Sequence, residues 1–317
     1  MAGPEISVVV PTRFRETRLA FLLDALAEQT LARDRFEVVV VRAEDALGGP
    51  LTEPPAGPDV RFLSAPPSAA IQRNHGWRAA RAPLIAFTDD DCRPAPDWLE
   101  RILDAAGDPQ VFIQGRTEAD PDELAQRRGL ARTMEVDKFD PWAPTCNMAY
   151  PRELLERVGG FDERFVAAAW GEDSDLALRV QEAGGRQVFH PEALVWHAVH
   201  PRTLAAAMRE GYSRNALPMV LARHPSLRRH LHFRIFLLMS HALLVLGLGG
   251  LLLARRRPWL GVLAFAPYVR HHVIGSGASP AGVLRWILLS EPRSVLHDAS
   301  EMAGSSVTSI RHRSLVL

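Results

Sequence analysis

Asp89-Asp90-Asp91 is the stretch of this sequence best equipped to do chemistry. Three adjacent carboxylates repel one another, and desolvating any of them without a partner is expensive, so the cluster asks for a cation. Oxygen ligands suit Mg²⁺ or Mn²⁺, which keep several waters and bridge to substrate phosphates. A solvated acidic turn would also explain three aspartates standing alone, so the neighbouring patches decide the weight. Pro11-Thr12-Arg13 sets a hydroxyl and a guanidinium after an apolar run, where they can hold a ribose or phosphate or simply face solvent. Arg73, within Ala70 to Gly76, carries a fixed donor fork suited to phosphate or a base edge. Glu172-Asp173 open a helical stretch; acids there either cap the helix or, within reach of a substrate hydroxyl, act as a general base. Arg179 lies four residues past Asp175, the spacing of a structural ion pair. Trp196-His197-Ala198-Val199-His200 follows a short apolar run, and one imidazole there can complete a carboxylate-held cation's shell, best for Mn²⁺.

Apolar patterning predicts the elements that must carry these groups. Ile6–Val10, Phe36–Val41, Val60–Leu63, Leu84–Thr88 and Val111–Gly115 read as strands, and Thr17–Gln29, Ser68–Ala80 and Pro96–Ala106 as helices between them. Ala119–Asp140 is charged and weakly periodic and is read as a helix broken at Pro141–Pro144. Leu154–Val158 ends at Gly159-Gly160, Asp173–Ala183 ends at Gly184-Gly185, and Val188-Phe189 and Ala193–Trp196 read as two short strands flanking Pro191. Arg42 to Pro66 is otherwise read as loop. This alternation predicts an α/β fold with a mostly parallel, doubly wound sheet whose ligands sit beyond the carboxyl ends of the strands. The three aspartates fall at such an end.

The 317 residues allow one large domain or a domain with an appendage. Net charge is zero but unevenly spread: 15 arginines and 4 acids lie from His200 onward, against 22 basic and 33 acidic residues before it. An acidic, metal-binding part joined to a basic tail describes this distribution, and no nucleic-acid partner is expected. Cys92 and Cys146 cannot make a disulfide framework and lack zinc-ligand spacing, which points to a reducing compartment. Met1–Ser7 lacks the charged and apolar regions of a secretory signal.

Taken in order, the patches resemble family 2 of the inverting glycosyltransferases, enzymes with the GT-A nucleotide-sugar fold. The resemblance rests on Val8-Val9-Val10-Pro11-Thr12, Arg73-Asn74-His75-Gly76, Phe87-Thr88-Asp89-Asp90-Asp91, Asn147-Met148-Ala149, Val158 to Glu163 and Gly171 to Leu176, and covers about residues 5 to 200. It implies a GT-A domain over 1–200, with the nucleotide-sugar and metal site in 1–118 and the acceptor and base part in 119–200. Asp89 and Asp91 correspond to the DXD motif, with Asp91 gripping Mn²⁺ or Mg²⁺, and His197 to a histidine that reaches the metal or diphosphate. Pro11, Thr12, Arg13, Arg73, Asp89 and Asp90 are implied to contact the nucleotide sugar, Asp173 of the Glu172-Asp173 pair to be the base, and Trp142, Asn147 and Trp170 to lie on the acceptor side. One departure stands out: the family often has Asp-Asp-Gly-Ser after its second strand, whereas this chain has Arg42-Ala43-Glu44-Asp45, so Glu44 or Asp45 would replace the ribose- or base-binding acid. The implied reaction moves a sugar from a nucleoside-diphosphate donor to an acceptor hydroxyl, a glycan or lipid-linked saccharide. The alternatives are a catalytically silent nucleotide-sugar binder or assembly subunit, or a sugar nucleotidyltransferase. The latter would carry a glycine-rich, lysine-containing loop after the first strand, and Thr12-Arg13-Phe14-Arg15 is not one.

Residues 201–317 are expected to form a helical, apolar and basic region. The 20 residues from Ile235 to Ala254 would reach about 30 Å as a helix, the thickness of a bilayer core. Arg255-Arg256-Arg257 follow, then a second apolar stretch over 259–275. A true span, a hairpin dipping into one leaflet, and an apolar helical pair packed on protein all fit. Association with the inner face of the cell membrane, through arginines and anionic headgroups, is the expectation.

Overall fold

The computed structural model describes residues 3–46, 58–165, 171–213, 216–254, 257–275 and 291–317. Trp170, Arg255 and Arg256 therefore lie outside the described residues. The chain divides into two compact units, one ending at Pro201 and one running from Arg202 to Leu317.

In the first unit, strands β1 (Ile6–Thr12), β2 (Phe36–Ala43), β3 (Asp59–Ala65), β4 (Leu84–Thr88), β5 (Cys92–Pro94), β6 (Val111–Ala119), β7 (Asn147–Pro151) and β8 (Arg186–His197) form one sheet in the order β3-β2-β1-β4-β7-β6-β8-β5. Strands β1 to β4 are parallel to one another, β6 and β8 are parallel, and β7 and β5 run antiparallel to their neighbours. The sheet is thus mixed but mostly parallel, as the patterning predicted. Its central strands are buried on both faces, which is why they read as unbroken apolar runs rather than as alternation. Val8 and Val10 face one core layer with Leu19, Leu22, Leu23 and Leu26 of α1 (Glu16–Ala27) and Trp98 of α3 (Trp98–Ala105). Val9, Val39 and Val41 face the other, with α2 (Ala69–Ala79), α4 (Arg152–Val158) and α5 (Glu172–Glu182).

Three sequence expectations change. Residues 119–140 are not a helix: a short 3₁₀ turn at Pro121–Gln126 leads into irregular chain pinned by the Thr117–Val136 bridge. Pro121 and Gly129 interrupt the stretch, and its weak periodicity offered no apolar face to bury. Asn147–Pro151 and Cys92–Pro94 are strands too short to announce themselves. Finally, β8 is one strand through Pro191 rather than two. Proline cannot donate to the ladder, and the pairing with β6 jumps from Gly115–His190 to Arg116–Leu194 across it.

The amino ends of the strands are tied by a buried carboxylate that composition did not reveal. Glu37 on β2 accepts from Ser7 Oγ on β1 (2.7 Å), from Arg61 on β3 (3.0 Å) and from Arg81 Nε just before β4 (2.8 Å). Its side chain is fully buried.

The second unit is helical: α6 (Leu204–Ser213), α7 (Leu217–Arg223), α8 (Met239–Leu253), α9 (Pro258–Gly275) and α10 (Glu291–His312). A Cβ at Gly304 would strike the Tyr212 backbone, so α10 lies close against α6. Gly247 and Gly250 of α8 face Phe265 and Ala264 of α9, making those two helices a tight hairpin. Helix α8 has 15 residues, about 22 Å at 1.5 Å per residue, short of a bilayer core. Among the described residues no helix is long and apolar enough to cross a membrane.

Glu37→Gln keeps the size of the side chain but removes the charge on which donors from Ser7, Arg61 and Arg81 converge. It is expected to cost about 1–3 kcal/mol, read as a lower urea midpoint with an unchanged slope.

Candidate functional site

The carboxyl ends of β1, β4 and β8 bring the sequence-flagged residues together. The Asp89-Asp90-Asp91 turn follows β4, and α5 presents Glu172 and Asp173 in its first turn. Gly171, the residue before α5, has φ of +111°, a conformation that glycine adopts without penalty. Arg73 on α2 stands between the two acid groups. It donates to Asp89 Oδ1 (2.8 Å), Glu172 Oε1 (3.0 Å) and Asp173 Oδ1 (3.3 Å), and its side chain is 5 % exposed. One buried guanidinium thus joins the aspartate turn to the helix start. The Phe161 ring lies under it at 5.5 Å.

The acids around it differ in charge state. Burial, and then the neighbouring Asp173, push Glu172 up to about 8, against the pull of Arg73. Its buried Oε2 has no hydrogen-bond partner and can seat a proton. Asp173 is also raised by burial, but Arg73 and two donors from Thr145 oppose this: the backbone N–H (3.1 Å) and Oγ (2.6 Å). Asp173 is the more exposed of the two, at 17 % against 8 %.

The other two aspartates face a second set of donors. Asp90 accepts from Thr12 Oγ (2.7 Å) and Arg15 (3.0 Å), and burial pushes it up to about 6 despite that arginine. Asp91 Oδ2 accepts from Arg15 (2.7 Å) and His200 Nε2 (2.9 Å). Burial alone would raise Asp91; the His200 hydrogen bond, His197 and Arg15 outweigh it and hold the carboxyl well below the usual carboxylate range. Its other oxygen, Oδ1, is buried with no hydrogen-bond partner and lies 3.6 Å from His197 Nε2. His197 Nδ1 lies 2.8 Å from the Ala198 carbonyl, which leaves Nε2 facing Asp91. A carboxylate oxygen without a hydrogen-bond partner beside an imidazole nitrogen is a donor set fit for a borderline divalent cation. Cys92 Sγ is close by, but burial and Cys146 push its thiol far up, so it fills the core as a neutral group.

Arg13 pairs with Asp45 at 2.6 Å on the exposed rim, and Glu44 sits exposed in the same turn after β2. Trp142 is half-buried beside α5, its carbonyl accepting from Ser174 Oγ. Asn147 is buried in the sheet, accepting from Trp98 and donating to the carbonyls of Arg116 and Ala193. Sequence reasoning missed Arg15, Thr145, His200 and Gln72. Gln72 donates to the carbonyls of Thr12 and Val41 and ties the ends of β1 and β2. His200 alone had a signal, three residues beyond His197 in the same patch.

The sequence model described as Glycosyl transferase family 2 matches residues 7–163, and one described as N-terminal domain of galactosyltransferase matches 131–202. The chain belongs to glycosyl transferase family 2. This family 2 chain is 28 % identical over 274 residues to the pre-mycofactocin glycosyltransferase of Mycobacterium tuberculosis, a match covering 78 % of this chain and 55 % of that protein. It is 30 % identical over 241 residues to the validoxylamine A glucosyltransferase of Streptomyces hygroscopicus subsp. limoneus, covering 63 % and 53 %. It thus spans about half the length of these curated relatives. Its fold matches the mannosyltransferase PcManGT of Pyrobaculum calidifontis, solved with GDP-Man and Mn²⁺, at a TM-score of 0.58 and 22 % identity, over 98 % of this chain and 88 % of that one. The GT-A architecture of the first unit is thereby established.

Arg73→Met leaves Asp89, Glu172 and Asp173 without their shared cation and is expected to cost about 3–5 kcal/mol at pH 8. Without the guanidinium, Glu172 and Asp173 rise further in the folded state than in the unfolded one. The deficit should therefore shrink as pH falls from about 8 toward 5, read as converging melting temperatures of variant and parent.

Proposed function

We propose that the chain moves a sugar from a nucleoside-diphosphate sugar to an acceptor hydroxyl by single displacement with inversion. The observation that supports this most is Arg73, which holds the aspartate turn and the Glu172-Asp173 pair in one cluster and so sets the donor's diphosphate side against a proton acceptor. Asp173 takes the proton from the acceptor hydroxyl as its oxygen bonds to the anomeric carbon, and the bond to the diphosphate breaks on the opposite face. Glu172, the more deeply buried of the two, keeps Arg73 in place rather than acting as a second base. Thr12, Arg13 and Asp45 border the nucleoside, and Arg15 stabilises the negative charge of the leaving diphosphate. Asp91 and His197, with Asp89, would hold Mn²⁺ or Mg²⁺, which when bound supplies positive charge against the β-phosphate.

A lipid-linked or cell-surface glycan is the acceptor class we favour, reached from the inner face of the membrane. The α8–α9 hairpin exposes Leu246, Leu251, Leu252, Val262 and Leu263 together with Trp259, an apolar surface suited to the headgroup boundary.

Asp173→Asn is expected to keep the thermal shift given by a nucleoside diphosphate with Mn²⁺ while transfer falls about 10²-fold to 10⁴-fold. In the parent, the acid limb of the rate profile should lie above about pH 4, the ordinary carboxylate value, because burial raises Asp173. Near-normal transfer in the variant would remove Asp173 from this role.

The full chain should sediment with vesicles containing anionic lipid and be released by alkaline carbonate, and Leu252→Glu with Val262→Glu should abolish the sedimentation. A parent that stays in the supernatant would overturn the membrane reading.

A further inference from the structure

Three helices of the second unit converge on a buried cluster that the glycosyltransferase chemistry does not use. Helix α8 contributes His241, α9 contributes Tyr268 and His272, and α10 contributes His297, Asp298 and Glu301. His241 is 1 % exposed, Asp298 4 % and Glu301 8 %. Nothing in apolar helix packing calls for three imidazoles and two carboxylates in such a place, since buried ionisable groups are costly unless bonded or bound to a metal.

The spacing distinguishes a hydrogen-bonded network from a metal cage. Of the imidazole nitrogens, His241 Nε2 lies 3.3 Å from Glu301 Oε2, His272 Nε2 3.6 Å from Asp298 Oδ2, His297 Nδ1 3.7 Å from Asp298 Oδ1, and His297 Nε2 3.9 Å from Glu301 Oε1. The last three exceed hydrogen-bond reach, and the first is long for a charge-assisted bond. Ligand atoms at the corners of a tetrahedron with bonds of about 2.0–2.1 Å stand roughly 3.3–3.4 Å apart; the His241–Glu301 pair already has that separation, and the looser pairs would close by a few tenths of an ångström on an ion. One ligand atom each from His241, Asp298 and Glu301 lie mutually within 4.8 Å. His297 Nε2 is buried without a hydrogen-bond partner. Around the cluster, Tyr268 donates to Asp298 Oδ2 at 3.0 Å, the kind of outer contact that orients a ligating carboxylate.

We propose that His241, Asp298 and Glu301, closed by His272 or His297, form a divalent metal site that pins α8, α9 and α10 together, separate from the Asp91 site of the first unit. The mixed imidazole and carboxylate set favours an ion of borderline softness such as Zn²⁺ over Ca²⁺ or Mg²⁺. Its role is structural: the ion joins three helices, and the site does not depend on the transfer reaction proposed above.

The test uses the full chain carrying Asp91→Asn, freed of metal with a chelator, and Co²⁺ alone as the spectroscopic probe. The site predicts one equivalent of Co²⁺, with visible bands of a nitrogen and oxygen ligand field, a raised melting temperature, and displacement by Zn²⁺. Glu301→Gln in that background should remove the bands. His297→Gln, at the partly exposed rim and so compatible with the packing, should weaken binding at least tenfold or alter the bands, with the far-ultraviolet dichroism unchanged. Absence of Co²⁺ bands in the Asp91→Asn chain, or bands that persist unaltered in both further variants, would overturn the proposal. Loss of transfer activity in Asp91→Asn with the bands intact would leave it standing, which keeps the two sites distinguishable.

Discussion

A single guanidinium with three carboxylates around it sets the terms for the first unit. Arg73 is buried, and burying its charge is tolerable only because Asp89, Glu172 and Asp173 surround it. The same arrangement is what brings two carboxylates of α5 up to the aspartate turn after β4, elements 80 residues apart in sequence. Removing the cation would leave three acids to repel one another, so the cluster holds together as a set or not at all.

The fold's main lines were legible because they follow from periodicity. Strands buried on both faces left apolar runs, and α1 displayed its leucines at helical spacing. The motifs were legible as a set because each sits at a strand's carboxyl end or a helix start, where topology gathers them. What escaped was whatever depends on contacts between distant residues. Glu37 looks like any polar residue in a strand, and only the structure shows that Ser7, Arg61 and Arg81 converge on it. Arg15 and Thr145 have no local signature, since their importance lies in what stands opposite them. Asn147 shows the same limit: its motif is visible in the sequence, while the use of its amide by the sheet's own backbone is not.

The two units also differ in how they were read. The apolar run from Ile235 to Ala254 suggested a span because hydropathy does not register where a helix begins, and the helix starts at Met239, four residues past Ile235. The glycines at 247 and 250 served close packing with α9 instead. The histidines of this unit carried no pattern at all, being scattered over three helices until the fold collects them.

The kink at Pro191 has a geometrical result. Had β8 kept step with β6 from Gly115–His190 onward, Leu194 would stand level with Ala119 and His197 would lie three residues further on, about 10 Å at the rise of a strand. The slack taken up there draws His197 back until it stands level with Cys92 and one residue from Asp91. A ring that cannot donate a proton to its neighbour thus works as a spacer, and the imidazole arrives at the acid because the strand that carries it was interrupted.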